Sequence, residues 1–293
     1  MPTAPRYRPR DTAPTGAAQV VRRARRTTSE PGGLERLVVP PEITGPRVRL
    51  GVLWFLVALA AVTAGRWWTA ALAAAVSAAA GYQIARAWAI ERARAELPGD
   101  AELPIGVGRI PALCAGLLAT LVPLAAGYGT GAAGASLLVV ATISGAVQLS
   151  LAPAVGATTS IAALLPAVAA SSIVLALQID LWAALFLVLA VSLFDAGNYL
   201  LGAEAAGRWE GPVGGLLGAL AVTFTIATIG VPPLDTGQWW VLGGLVAIAC
   251  PLGQWVTSAL MPSPSARVPA QRRLDAYVVA GPVLVVAMWV FGA

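Results

Sequence analysis

The chain reads as an all-α integral membrane protein of about nine transmembrane helices, N-terminus in the cytoplasm and C-terminus outside, and three observations carry that reading. Of its 293 residues 58% are hydrophobic and only 11% charged, a balance that calls for lipid rather than water as the solvent. From Leu50 onward, apolar runs of bilayer length follow one another with short connections. All 19 basic residues are arginine, and they fall at the ends of the apolar runs and between them.

The first 49 residues are rich in Pro, Thr, Gly and Arg and show no apolar periodicity. They cannot bury enough surface to offset the entropy of ordering, so the sequence predicts a disordered tail over 1–49 followed by a membrane domain over 50–293. No cleavable signal is read ahead of Leu50. The densest cluster of the tail, Arg22, Arg23, Arg25 and Arg26, suits an anionic inner leaflet, at about 1 kcal/mol per arginine.

A hydrocarbon core of about 30 Å needs roughly 20 helical residues per crossing. On that scale helices are predicted over 50–65, 67–85, 110–127, 131–149, 154–177, 181–202, 212–230, 239–260 and 275–292, the first two being also readable as a hairpin that does not fully span. Pro123, Pro153, Pro166 and Pro251 fall in or beside these runs, where neighbouring helices can satisfy the freed carbonyls. Alternating from an inner N-terminus leaves 18 of the 19 basic residues inside and only Arg66 outside, as retention of positive charge requires.

Composition also excludes functions. Without histidine there is no histidine general base, no Ser-His-Asp triad and no ordinary zinc site. Cys114 and Cys250 lie in separate apolar runs and read as small hydrophobes. The basic residues are not interleaved with aromatics on a folded face, so nucleic acid is not an expected partner.

Chemistry must then rest on a few acids and arginines. Asp180 and Asp235 sit in short outer connections beside aromatics and read as structural. Asp195 lies inside the apolar run 181–202, where a carboxylate costs roughly 2.5–3.5 kcal/mol and calls for a partner. Gly197, Asn198, Tyr199 and Gly202 follow it, combining close backbone approach with polar side chains. Glu210 stands beside Trp209 and Pro212 at an inner helix entrance, where the helix dipole favours a negative charge. Arg272, Arg273 and Asp275 open the last helix at the same membrane face, so the three acids are expected to meet there.

Taken in order, Asp195-x-Gly197-x-Tyr199-x-x-Gly202, then Trp209-Glu210-Gly211 with Gly214-Gly215, then Gly253 and Ser258, then Arg273-Leu274-Asp275, resemble the phosphatidate cytidylyltransferase (CDP-diacylglycerol synthase) family over about 190–293. The resemblance implies a multi-pass enzyme of the cell membrane that joins CTP to phosphatidic acid, releases diphosphate and forms CDP-diacylglycerol. It implies catalytic roles for Asp275, Arg273 and Glu210, and substrate contacts from Asp195, Asn198, Tyr199, Arg208, Trp209, Ser258 and Arg272. Mg²⁺ would be held by Asp275 and Asp195, and a homodimer is compatible with the family.

The chain departs from the family pattern between Met261 and Gln271, where the Lys-Asp pair and the Pro-Gly-His-Gly-Gly turn are replaced. Arg272 stands where the first acid of the final element belongs, Gln254 replaces the acid after Gly253, and the Ser-Pro-Lys-Lys segment before Trp209 is missing. Metal-assisted transfer depends on such acids. Two further readings therefore stand beside the enzyme: a non-catalytic lipid-binding membrane partner, and a small-solute transporter with Asp195 as its midplane site.

Overall fold

The structure, a computed structural model, describes residues 47–97, 106–150, 153–202, 209–263 and 266–292. Tail residues 1–46 and Arg208 lie outside the described residues. Every regular element among the described residues is a helix. In chain order these are α1 (Arg47–Ala64), α2 (Arg66–Glu96), α3 (Arg109–Ala126), α4 (Thr130–Ser150), α5 (Pro153–Ile179), α6 (Leu181–Gly202), α7 (Glu210–Ile229), α8 (Thr236–Leu260), the single turn α9 (Pro269–Arg272) and α10 (Tyr277–Val290).

Among the described residues, the six helices α3 to α8 are each long and apolar enough to cross a membrane, which makes the chain a multi-pass α-helical membrane protein. The other three predicted segments also form helices but differ from a standard span. The apolar parts of α1 and α10 are short, Gly51–Ala64 and Tyr277–Val290. Helix α2 runs for 31 residues, well past the expected end at 85. Its extension is polar and supports itself: Arg86 donates to the Tyr82 hydroxyl at 2.9 Å, Arg92 lies over the Trp88 ring, and Glu91 and Arg94 approach to 3.9 Å.

Many large apolar side chains face outward, although Trp239, Phe186, Phe194 and Leu187 are fully buried. Leu117, Leu138, Leu217, Phe224 and Ile248 are each more than half exposed, an outer surface that would aggregate in water and suits lipid tails. The interior is dominated by alanine, as at Ala70, Ala80, Ala112, Ala162, Ala167 and Ala184. In lipid no hydrophobic force drives helices together, so association rests on close packing of small residues and on interhelical hydrogen bonds. Helix α5 is central, touching α2, α3, α4, α6 and α10, while α1 bridges α2 and α6.

The two ends of the bundle differ in character. At one end Trp67 stacks edge-on against Tyr128 with centroids 4.9 Å apart, and the Gln178 amide donates to the carbonyls of Ala126 and Gly127. Asp180 accepts from the Trp182 amide, and Asp235 caps α8 in a reciprocal pair with Gln238. Arg66 belongs to this end. At the opposite end the Ala270 amide donates to Gln83, and the Trp88 indole to the Leu260 carbonyl. There α2 runs on through Arg86, Arg92 and Arg94, and α9 with Arg272 packs against α2.

Glycines set the tightest contacts. A Cβ on Gly214 would lie 2.6 Å from the Gly197 carbonyl oxygen, and one on Gly215 would lie 2.6 Å from the Phe194 ring. Gly211, Gly214, Gly215 and Gly218 recur at helical spacing, so one face of α7 lies flat against α6 over two turns. Gly81 on α2 comes close to the Ala162 carbonyl, the group that Pro166 leaves without its helical donor.

Gly214→Val is expected to cost about 1–3 kcal/mol by overpacking, because the nearest facing atom is the Gly197 carbonyl oxygen, which is backbone and cannot turn aside as the Leu201 side chain can. Thermal unfolding in detergent measures this. Gly244→Ala, at a position with nothing within 4 Å of the added carbon, should leave the midpoint almost unchanged.

Candidate functional site

The polar residues that interrupt α6 and α8 meet at the arginine-bearing end. Asp195 and Asn198 are three apart on α6 and so share one face. Gln254 on α8 faces both: its amide nitrogen donates to Asp195 Oδ1 at 3.2 Å, and its carbonyl oxygen accepts from Asn198 Nδ2 at 3.2 Å. Asn198 is held from its other side by α7, since a Cβ on Gly211 would lie 2.5 Å from Asn198 Oδ1. Only glycine there leaves room for the amide.

The corner between α9 and α10 closes against the same stretch of α8. A Cβ on Gly253 would lie 2.5 Å from the Asp275 carbonyl oxygen, and the next residue is Gln254, so Asp195 and Asp275 approach α8 at one level. Asp275 is 4% exposed. Its Oδ2 accepts from Arg272 Nη1 at 3.1 Å and its Oδ1 from Gln271 Nε2 at 3.3 Å. Arg272 also reaches the Ser258 hydroxyl at 3.5 Å.

Arg273 points elsewhere. Its guanidinium lies against α1, with Nη1 3.4 Å from where a Gly51 Cβ would be. The side chain is half-buried, and among the described residues it has no hydrogen bond or ion pair.

The structure thus brings Asp195 and Asn198 together around Gln254, and Ser258, Arg272 and Asp275 together beside them, while Arg273 turns away towards α1. Glu210 is the first residue of α7 and exposed, one position from the Gly211 contact, so it belongs to the rim. Trp209 is 68% exposed and Tyr199 half-buried. At the last element it is Arg272 that pairs with Asp275. Gln254 and Gln271 were visible only as departures from a family pattern. A polar residue late in an apolar helix beside a glycine is the signal that marks Gln254.

The donor set does not fit a ready-made Mg²⁺ site. Mg²⁺ demands near-octahedral oxygen ligands at about 2.0–2.1 Å and usually keeps several waters. Asp275 is enclosed with an arginine on one oxygen and an amide on the other, and Asp195 is met by the Gln254 amide. Among the described residues no three His, Cys, Asp or Glu side chains gather into a metal-holding group.

Comparison with family models, with curated proteins and with solved structures yields no match.

Gln254→Leu is expected to destabilise the protein by about 1–3 kcal/mol, since it leaves the Asp195 carboxyl and the Asn198 amide without their partner. Unfolding midpoints of the variant and of the double variant with Asp195→Leu measure the coupling. A double variant no less stable than Gln254→Leu alone is the expected result, because the second change removes the group left unsatisfied.

Proposed function

We propose that the chain is a divergent relative of the phosphatidate cytidylyltransferases that holds an anionic phospholipid headgroup at its arginine-bearing end and does not carry out cytidylyl transfer. The carrying observation is the asymmetry of the α9–α10 corner. Asp275, the acid aligned with the family's last element, has both oxygens occupied, whereas the adjoining Arg273 makes no ion pair among the described residues. Transfer to a phosphate needs metal to bridge the triphosphate and offset charge on the leaving diphosphate. Holding a headgroup needs only a positioned cation.

The same reading has the chain cross the cell membrane nine times with its N-terminus in the cytoplasm. Its support is the collection of Arg86, Arg92, Arg94, Arg272 and Arg273 at one end of the bundle, opposite Arg66. The transporter reading lacks comparable support. Its one candidate site, Asp195, lies four residues from the start of the final turn of α6 and is already partnered by Gln254.

Two outcomes are expected of the purified protein in lipid nanodiscs. Supplied with CTP, Mg²⁺ and phosphatidic acid, it should form no CDP-diacylglycerol above background. Phosphatidic acid should bind in preference to phosphatidylcholine, with Arg273→Gln weakening it about fivefold, as one arginine at an anionic headgroup is worth about 1 kcal/mol. Robust Mg²⁺-dependent product that disappears with Asp275→Asn would overturn the silent-site reading. Reporter fusions near residues 100, 208 and 268 should all read cytoplasmic, and an external signal at any of them sinks the nine-span topology.

A further inference from the structure

The charges at the arginine-bearing end do not share one depth, and the α1–α2 hairpin is a ruler for them. Thr69 of α2 donates to the Ala61 carbonyl of α1, so the two helices double back on each other from a common turn at Arg66. Along α2 the next charge after Arg66 is Arg86, twenty residues or about 30 Å away at 1.5 Å per residue, the thickness of a bilayer core. Along α1 a charge is met sooner. Gly51, against which the Arg273 guanidinium lies, is fifteen residues or about 22 Å from Arg66. Arg273 thus stands about 8 Å nearer the midplane than Arg86.

Contacts along two other helices show the backbone descending to the same depth. At the end of α8 the Trp88 indole donates to the Leu260 carbonyl, whereas the Ala270 amide donates to Gln83, five residues or about 8 Å back along α2. Asp275 is as deep, since its carbonyl oxygen faces Gly253, seven residues or about 10 Å back along α8 from Leu260. The connection from α8 to α10 therefore dips into the depth that lipid tails occupy elsewhere. Helix α10 leaves from the bottom of this dip and is correspondingly short: Tyr277–Val290 rises about 20 Å, against about 36 Å for α8.

Arg272 and Asp275 pair with each other at this depth, but Arg273 has no hydrogen bond or ion pair among the described residues. A guanidinium left alone in hydrocarbon is strongly penalised. Its stem does not lift the head to the interface, because the guanidinium nitrogens themselves lie against Gly51. On the adjoining turns of α1, Val52, Leu53 and Leu56 are exposed, so this helix borders lipid. A span shorter than the hydrocarbon core is accommodated by thinning the bilayer around it. We propose that the protein thins the bilayer beside α1, where the charge of Arg273 holds water and polar headgroups below their ordinary level. The surface it fits is a membrane about 22 Å thick along α1 instead of about 30 Å. Thinning of this kind does not depend on which headgroup Arg273 meets.

Nitroxide labels on the full chain in phosphatidylcholine nanodiscs test it, with Cys114→Ala as background because Cys250 is fully buried. Val52 on α1 and Ile143 on α4 are both exposed, 54% and 42%. They lie at matched distances from the opposite end, where Arg66, Trp67 and Tyr128 meet: about 21 Å from Arg66 and about 22 Å from Tyr128. In a bilayer of uniform thickness, labels at Val52→Cys and Ile143→Cys would both collide with dissolved oxygen and rarely with a water-soluble nickel chelate. The label at 52 should instead meet the chelate several-fold more often than the label at 143. Adding Arg273→Leu should bring the two values together. Equal shielding of both labels from the chelate in the presence of Arg273 overturns the proposal, and that comparison needs no change at the site. A difference that Arg273→Leu leaves intact overturns it as well, since the depression would then not be held by that charge.

Discussion

Backbone contact between α6 and α7 is the constraint on which the polar end of the molecule depends. Because Gly197, Gly211 and Gly214 carry no Cβ, the two helices approach until carbonyls of one meet the chain of the other. That separation leaves space beside Gly211 for the Asn198 amide, and places the Asp195–Asn198 face of α6 against α8. In lipid such proximity also strengthens dispersion and interhelical hydrogen bonding, the forces that remain when water provides no drive. A bulkier residue at any of these positions would push apart the helices that present the cluster.

Charge within the cluster is balanced by amides and arginines. Gln254 stands between an acid and an amide and satisfies both, since its two ends offer a donor and an acceptor. An acid at that position would face Asp195 with like charge, and such a pair persists only with a proton or a cation between its members. Gln271 and Arg272 do the same for Asp275. The amides at 254 and 271 and the guanidinium at 272 thus act together, each meeting an acid directly.

Arg273 is the exception to this internal balance, since its guanidinium lies against Gly51 of α1 rather than on an acid. Two neighbouring arginines therefore do different work. Arg272 reaches Ser258 of α8 and pairs with the Asp275 carboxylate, while the Arg273 guanidinium lies against α1. Long arginine stems permit this, since they lie along apolar surface while the head reaches a polar neighbour.

The sequence by itself determined the solvent, the helical class and the position of nearly every helix, because apolar runs of bilayer length admit only helices when each backbone group must be satisfied internally. It also marked Asp195 and Asp275 as residues that need partners, since the cost of an isolated carboxylate in the membrane is legible from position alone. It could not say which partner each would take. Whether Arg272 or Arg273 meets Asp275 depends on the angle at which the α9–α10 corner rests on Gly253, and the role of Gln254 depends on how far α6 is pressed towards α8 by the glycines of α7. The extension of α2 past residue 85 was hidden as well, because a polar amphipathic continuation resembles an inner loop until Tyr82, Trp88 and Gln83 find their partners. Those choices belong to the tertiary structure, since helix rotation and separation are set by packing between residues far apart in the chain and leave no periodic trace within it.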